Sequence, residues 1–266
     1  MTINEVMSKL KEKGCFDKDQ LKQVKIGLDH GIDVSIYVDT KYTCTQMEEI
    51  RMGLEADVDV SIYLVPEYSW EQMNAIRVGL EHGVNVEIYA KPEFSCEQMT
   101  EVRLGLEADV DVSIYALSEF SWGQMEQIRL GLERGIAASV YATSLFTREQ
   151  MSEIRLGLEH RVAVGAFTNN TFSWEQMREI RLGLQAGVAV SVYAKQEFSW
   201  EQMNQIREGL ERGIDVSGYA IPECNWKLMR KIRLGIKGNA DANKKLKSEA
   251  KQEVSADVIK AMNLLS

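Results

Sequence analysis

Apolar residues recur along this chain at two alternating spacings. Met203, Ile206 and Leu210 fall at i, i+3 and i+7, the stripe of an amphipathic helix. From Ile214 to Tyr219 apolar and polar positions alternate one by one, the mark of a half-buried strand. The helix pattern returns every 26 residues, nine times and without insertion, and the ninth copy lacks the alternating run. Met47, Met73, Met99, Met125, Met151, Met177 and Met203 keep the register, with Leu21 before them and Met229 after. Such a period implies a repeated unit that buries its apolar face only against its neighbours.

Positions in a unit run from its aromatic residue, so that Phe198 is position 1 and Glu223 is position 26. Ser199 and Gln202 make a capping box that starts a helix. Phe198 before the cap and Met203 after it make a hydrophobic staple. The helix spans positions 3 to 15 and stops at a left-handed residue at position 16, usually Gly, as at Gly31, Gly83, Gly135, Gly187 and Gly213. Asp57, Asp109 and Arg161 stand there in other units. Position 12 is Gly in all nine units, from Gly27 to Gly235, although mid-helix Gly costs up to ~1 kcal/mol against Ala. The wheel suggests that it clears space for the Trp and Arg of the next unit. Position 10 is Arg from Arg51 to Arg233. Each Arg is placed to meet a carboxylate at position 14 of its own helix, such as Glu55 or Glu107. Carboxylates at position 8 of a neighbouring unit, such as Glu153 or Glu179, are further partners.

Each unit therefore predicts helix–turn–strand, with positions 17, 19 and 21 facing the helices and 18, 20 and 22 facing away. Strands joined through one helix run parallel by right-handed crossovers. Strands repeat at roughly 4.8 Å and helices at roughly 8–10 Å, which bends such a stack by roughly 20–30° per unit. The expected fold is an α/β single-layer right-handed solenoid, a horseshoe with a parallel sheet on the concave face and helices on the convex face. Residues 1–15 read as an N-terminal capping helix opened by the Thr2–Glu5 capping box, 16–238 as the nine-repeat solenoid, and 239–266 as a C-terminal helical cap or a tail.

The string Gln-Met-x-Glu-Ile-Arg-Leu-Gly-Leu, at Gln150–Leu158 and Gln176–Leu184, resembles the 26-residue helix–strand repeats of uncharacterised gut Firmicutes proteins. The resemblance covers roughly residues 16–237 and carries no assigned activity. The expected shape is also similar to leucine-rich-repeat horseshoes, in shape alone, because the Leu-x-x-Leu-x-Leu-x-x-Asn consensus is absent.

A net charge of −9 disfavours direct nucleic-acid binding and favours a basic partner. Cys15, Cys44, Cys96 and Cys224 are too scattered to form a disulfide framework and read as free thiols of a reducing cytoplasm. The start, Met1-Thr-Ile-Asn-Glu-Val-Met7, predicts no signal peptide, and no stretch approaches the ~20 apolar residues of a membrane span. His30, His82 and His160 all sit at position 15 of separate units, where they decorate helix ends rather than converge. No catalytic, phosphate-binding or metal-binding motif is present, so neither a catalytic residue nor a cofactor nor a metal is expected.

The face away from the helices is the candidate site. It should carry Tyr63, Tyr89, Tyr115, Tyr141, Phe167 and Tyr193 as an aromatic column, with Asp59, Glu87, Asp111 and Asp215 beside it. Tyr and Ser in rows have the chemistry of a paratope. The alternative is that Tyr merely suits strands and stacks on its neighbours. Ala137, Ala163, Ala189 and Gly165 make a small uncharged saddle, either an insertion point or drift. An outer row of Met52, Leu104, Leu130, Leu156 and Leu182 offers self-association. The leading expectation is a non-enzymatic scaffold that binds a protein or peptide on its concave face. The second is a mobile-element inhibitor whose acidic surface mimics nucleic acid or blocks a nucleic-acid-binding protein.

Overall fold

A computed structural model describes residues 2–235. The described residues fall into two compact units that divide between Gly135 and Ile136. The first contains α1 (Ile3–Lys13), α2 (Lys18–Asp29), α3 (Cys44–Glu55), α4 (Trp70–Glu81), α5 (Cys96–Glu107) and α6 (Trp122–Glu133). The second contains α7 (Arg148–Glu159), α8 (Trp174–Gln185), α9 (Trp200–Glu211) and α10 (Trp226–Gly235). Within each unit every helix packs on the next in sequence. The segment 239–266, expected as a helical cap or tail, lies outside the described residues.

The helices begin and end where the pattern places them. Ser95 N–H donates to Gln98 Oε1 at 2.7 Å and Gln98 N–H donates back to Ser95 Oγ at 3.2 Å. The same reciprocal box opens α1 at Thr2 and Glu5. At the other end of α4, Val84 N–H donates to Gly79 O and Gly83 N–H to Leu80 O, both at 3.0 Å, so two carbonyls that the helix leaves free are satisfied. Gly83 stands at φ 72°, and Asp57, Asp109 and Arg161 accept the same left-handed conformation at 55°, 53° and 57°. The position-5 glutamine has a second use. Its Nε2 donates to the carbonyl just before the cap of the following repeat, as from Gln72 to Phe94 and Gln98 to Phe120, both at 2.6 Å, and from Gln202 to Cys224 at 2.8 Å.

The expected α/β solenoid is overturned. No strand is present among the described residues, so the parallel sheet, the alpha/beta assignment and the likeness to leucine-rich-repeat horseshoes all fall with it. Where strands were expected the chain makes single 3-10 turns, at Val34–Ile36, Val60–Ile62, Val86–Ile88 and Val112–Ile114 in the first unit, and at Ala138–Val140, Val164–Ala166 and Val190–Val192 in the second. Two local effects favour the turn. The Asp33 carboxylate accepts from Ser35 N–H at 3.0 Å and from Ser35 Oγ at 2.6 Å, which closes the backbone on itself instead of leaving it for a sheet ladder. At three residues per turn, Val34 and Tyr37 also fall on one side. Tyr37 then packs inward at 0% exposure and Ile36 turns out at 38%. The turns at Ala138, Val164 and Val190 form without any side-chain cap, so packing of the position-22 ring rather than capping is the common cause.

Each inward ring needs the glycine of its own repeat. A Cβ on Gly105 would overlap the Tyr115 hydroxyl and stand 2.9 Å from Val112 Cγ1. Gly53, Gly79 and Gly183 meet Tyr63, Tyr89 and Tyr193 in the same way. The position-12 glycine therefore clears space for a tyrosine ten residues on, not for the next repeat's Trp and Arg.

Candidate functional site

The structure places the expected aromatic column in the core. Tyr63, Tyr89, Tyr115, Tyr141, Phe167 and Tyr193 are all 0% exposed, so no partner reaches them without unfolding. Tyr63, Tyr89, Tyr115 and Tyr193 donate their hydroxyls to the helix carbonyls of Glu49, Ala75, Glu101 and Glu179 at 3.1–3.3 Å. Burial raises these phenols well above their ordinary range, and Tyr37 and Tyr219 are pushed up to about 12. The acidic residues expected beside them are exposed. Asp59 and Asp111 spend their acceptors on Ser61 and Ser113, whose side-chain and then backbone bonds hold both carboxyls below the usual range. Asp215 accepts from Ser217 N–H at 3.0 Å, while Glu87 lies in the turn that Asn85 caps. Aromatic and acidic columns thus part company, one inward and one outward.

The other expected features are dispersed. His30 and His82 each meet a glutamate of the following repeat, Glu55 and Glu107, at 2.8 Å, while His160 Nδ1 lies 2.7 Å from the Leu156 carbonyl of its own helix. Met52, Leu104, Leu130, Leu156 and Leu182 are half-buried rather than an open apolar row. Ala163 borders a cleft of about 600 Å³ with His160, Arg161, Leu184 and Gln185.

The exposed aromatics are tryptophans at position 3. Trp70 and Trp122 in the first unit are 45% and 44% exposed, and Trp174 and Trp200 in the second are 38% and 44% exposed. Each is the first residue of its helix, directly after the N-cap, where the side chain has no preceding turn to pack on. In three of the four helices, at Glu71, Glu175 and Glu201, the next residue is a glutamate, favoured there by the helix dipole. The second unit shows what such a ring can hold: Lys227 Nζ sits 5.8 Å from the centroid of Trp226. Indole faces beside carboxylates suit cations. The sequence carried a signal for this edge. Position 3 is also Lys18, Cys44 and Arg148, and a core position does not alternate between Trp and Lys or Arg.

In the first unit the edge opens into a cleft of about 380 Å³ between Trp70 and Trp122. Cys96, the position-3 residue of the intervening helix, leaves the gap, and Glu71, Glu97 and Arg103 reach its lining. The Glu97 carboxyl is held low by its own backbone N–H and by Ser95 and Cys96. Burial, with Glu97 beside it, raises the Cys96 thiol, which makes it a poor nucleophile.

Within each unit a ladder of arginines runs behind the tryptophans. Arg77 Nε donates to Glu49 of the preceding repeat at 2.9 Å, and its Nη1 donates to Glu81 of its own helix at 2.5 Å. Arg129 with Glu101 and Arg207 with Glu179 repeat the link at 2.8 and 2.7 Å. Both partners that the spacing allowed are therefore used at once. No family model, no curated protein and no solved structure matches this chain.

Proposed function

We propose that this chain is a non-enzymatic repeat scaffold whose tryptophan edges, one in each unit, bind a protein or peptide partner rich in Lys and Arg. One observation carries the reading. Repeats whose position-22 rings are all buried still present Trp70, Trp122, Trp174 and Trp200 to solvent at 38–45% exposure. Tryptophan is the residue most enriched among binding hot spots, and a cation over an exposed indole contributes about 0.5–1 kcal/mol. The neighbouring glutamates and the net charge of −9 add steering toward a basic partner. The four unbridged thiols suit a reducing compartment such as the cytoplasm.

The test is selection of random dodecapeptides on the whole protein. Enriched sequences should be dominated by Lys and Arg. A variant with all four tryptophans changed to Ala, its helix content intact, should bind them roughly tenfold or more weakly. Selected peptides free of basic residues, or equal binding to both proteins, would refute the tryptophan edge. A natural partner that DNA or RNA displaces would favour inhibition of a nucleic-acid-binding protein instead.

A further inference from the structure

In the first unit the arginine ladder has a broken rung. Everywhere else that the Nε bond is described, its acceptor comes from position 8 of the preceding repeat. That acceptor is a carboxylate at Glu49 for Arg77 and a neutral amide at Gln23 for Arg51, at 2.9 and 3.1 Å. In the second unit Glu153 serves Arg181 at 2.7 Å and Gln205 serves Arg233 at 3.1 Å. For Arg103 the corresponding residue is Ala75, whose side chain offers no acceptor. Arg103 Nη1 still bonds Glu107 at 2.5 Å, but Arg103 Nε is buried and has no partner. Ala75 and Arg103 both line the 380 Å³ cleft between Trp70 and Trp122. A buried donor without an acceptor is costly, and the side chain that carries it borders a space large enough for another side chain.

We propose that this gap is an acceptor slot for a bound peptide, filled by a neutral amide oxygen whose flanking Lys or Arg pairs with Glu71 and Glu97. The proposal rests on the reading of the tryptophan edge as the partner surface and names what its deepest subsite recognises. The chain itself shows that an amide oxygen suffices, because Gln23 fills the equivalent place for Arg51. Charge selects between the two acceptors used elsewhere. Glu71, Glu97 and Glu101 all line the cleft, so an entering carboxylate meets three like charges, whereas an amide beside a cation meets none. A main-chain carbonyl or a Gln or Asn side chain carries such an oxygen, and Trp70 and Trp122 offer apolar walls to the stems on either side.

The test fills the slot from within. Ala75→Gln and Ala75→Glu each rebuild a rung that other repeats already contain, so both variants should fold, and Ala75→Gln, which adds no charge beside Glu71, Glu97 and Glu101, should melt at a higher temperature than wild type. The probe is acetyl-Lys-Gln-Lys-amide, followed through the side-chain N–H resonance of Arg103. In wild type that resonance should shift saturably with peptide. In both variants the affinity should fall roughly tenfold or more, the worth of a bond to a charged donor. Acetyl-Glu-Gln-Glu-amide should bind more weakly than the lysine peptide. Equal affinity of wild type and Ala75→Gln, or tighter binding of the glutamate peptide, would overturn the slot. The two readings fail separately. If Trp70→Ala weakens the lysine peptide and Ala75→Gln does not, the edge stands without the slot. If neither substitution matters, both are wrong.

Discussion

Gly105 stands in the last turn of α5, where Ala would ordinarily be favoured, by up to ~1 kcal/mol. Its missing side chain is what admits Tyr115, whose hydroxyl reaches the Glu101 carbonyl at 3.2 Å. Gly105→Ala should therefore destabilise by roughly 1–3 kcal/mol, the usual cost of overpacking, with the opposite sign from helix propensity. Tyr115→Phe in the same chain should recover part of that loss, because a ring carbon still lies 3.1 Å from the new Cβ. Denaturant midpoints of the four proteins in this cycle give the coupling, and a more stable Gly105→Ala would refute the packing. The two columns were visible in the sequence: Gly at position 12 in all nine units, and an aromatic at position 22 in the first eight. What the sequence hid was their contact. A strand template puts positions 19 and 22 on opposite faces, while a 3-10 turn puts them on the same one. That single rotation moved the candidate site from the tyrosines to the tryptophans, whose alternation with Lys18 and Arg148 already pointed to solvent.

The helices were legible from end to end, because caps act within four residues. Ser95 with Gln98, and the left-handed Asp109, sit where local rules put them. The connection between repeats was not legible, because its bonds span 22 residues. A capping box accepts Glu as readily as Gln, yet position 5 is Gln in eight consecutive units. That preference follows from Nε2, which must donate to the next repeat while Oε1 caps its own helix. Gln98→Glu keeps the cap acceptor and turns a carboxylate toward the Phe120 carbonyl. The melting temperature should fall by the equivalent of about 1–3 kcal/mol, and hydrogen exchange should rise at the starts of α5 and α6. An unchanged melting curve would show that Gln98 only caps. The strand expectation failed at this scale too. Six alternating residues suffice for a period-2 match, but an Asp two residues before a Ser is also a local turn, and packing of Tyr37 decided between them.

Buried tyrosines run through both compact units, and their ionisation threatens each unit as a whole. Tyr37 and Tyr219 are pushed up to about 12 by burial, against an ordinary value near ~10 when unfolded. A raised value means that the fold favours the neutral phenol. This stabilisation is fully present below pH ~10 and is lost as pH climbs from there toward 12. Helix signal and phenolate absorbance should therefore change together in that window. Phenolate of all nine tyrosines appearing near pH ~10 with helices intact would contradict the buried column. Among the described residues no helix is long and apolar enough to cross a membrane. The most direct test of the division between core tyrosines and surface tryptophans is hydroxyl-radical footprinting, read residue by residue, with and without a selected basic peptide. Trp70, Trp122, Trp174 and Trp200 should be modified readily in the free protein, Tyr63, Tyr89, Tyr115 and Tyr193 should be protected, and the peptide should shield the tryptophans. Tyrosines as reactive as the tryptophans, or tryptophans that a bound peptide leaves unchanged, would contradict it.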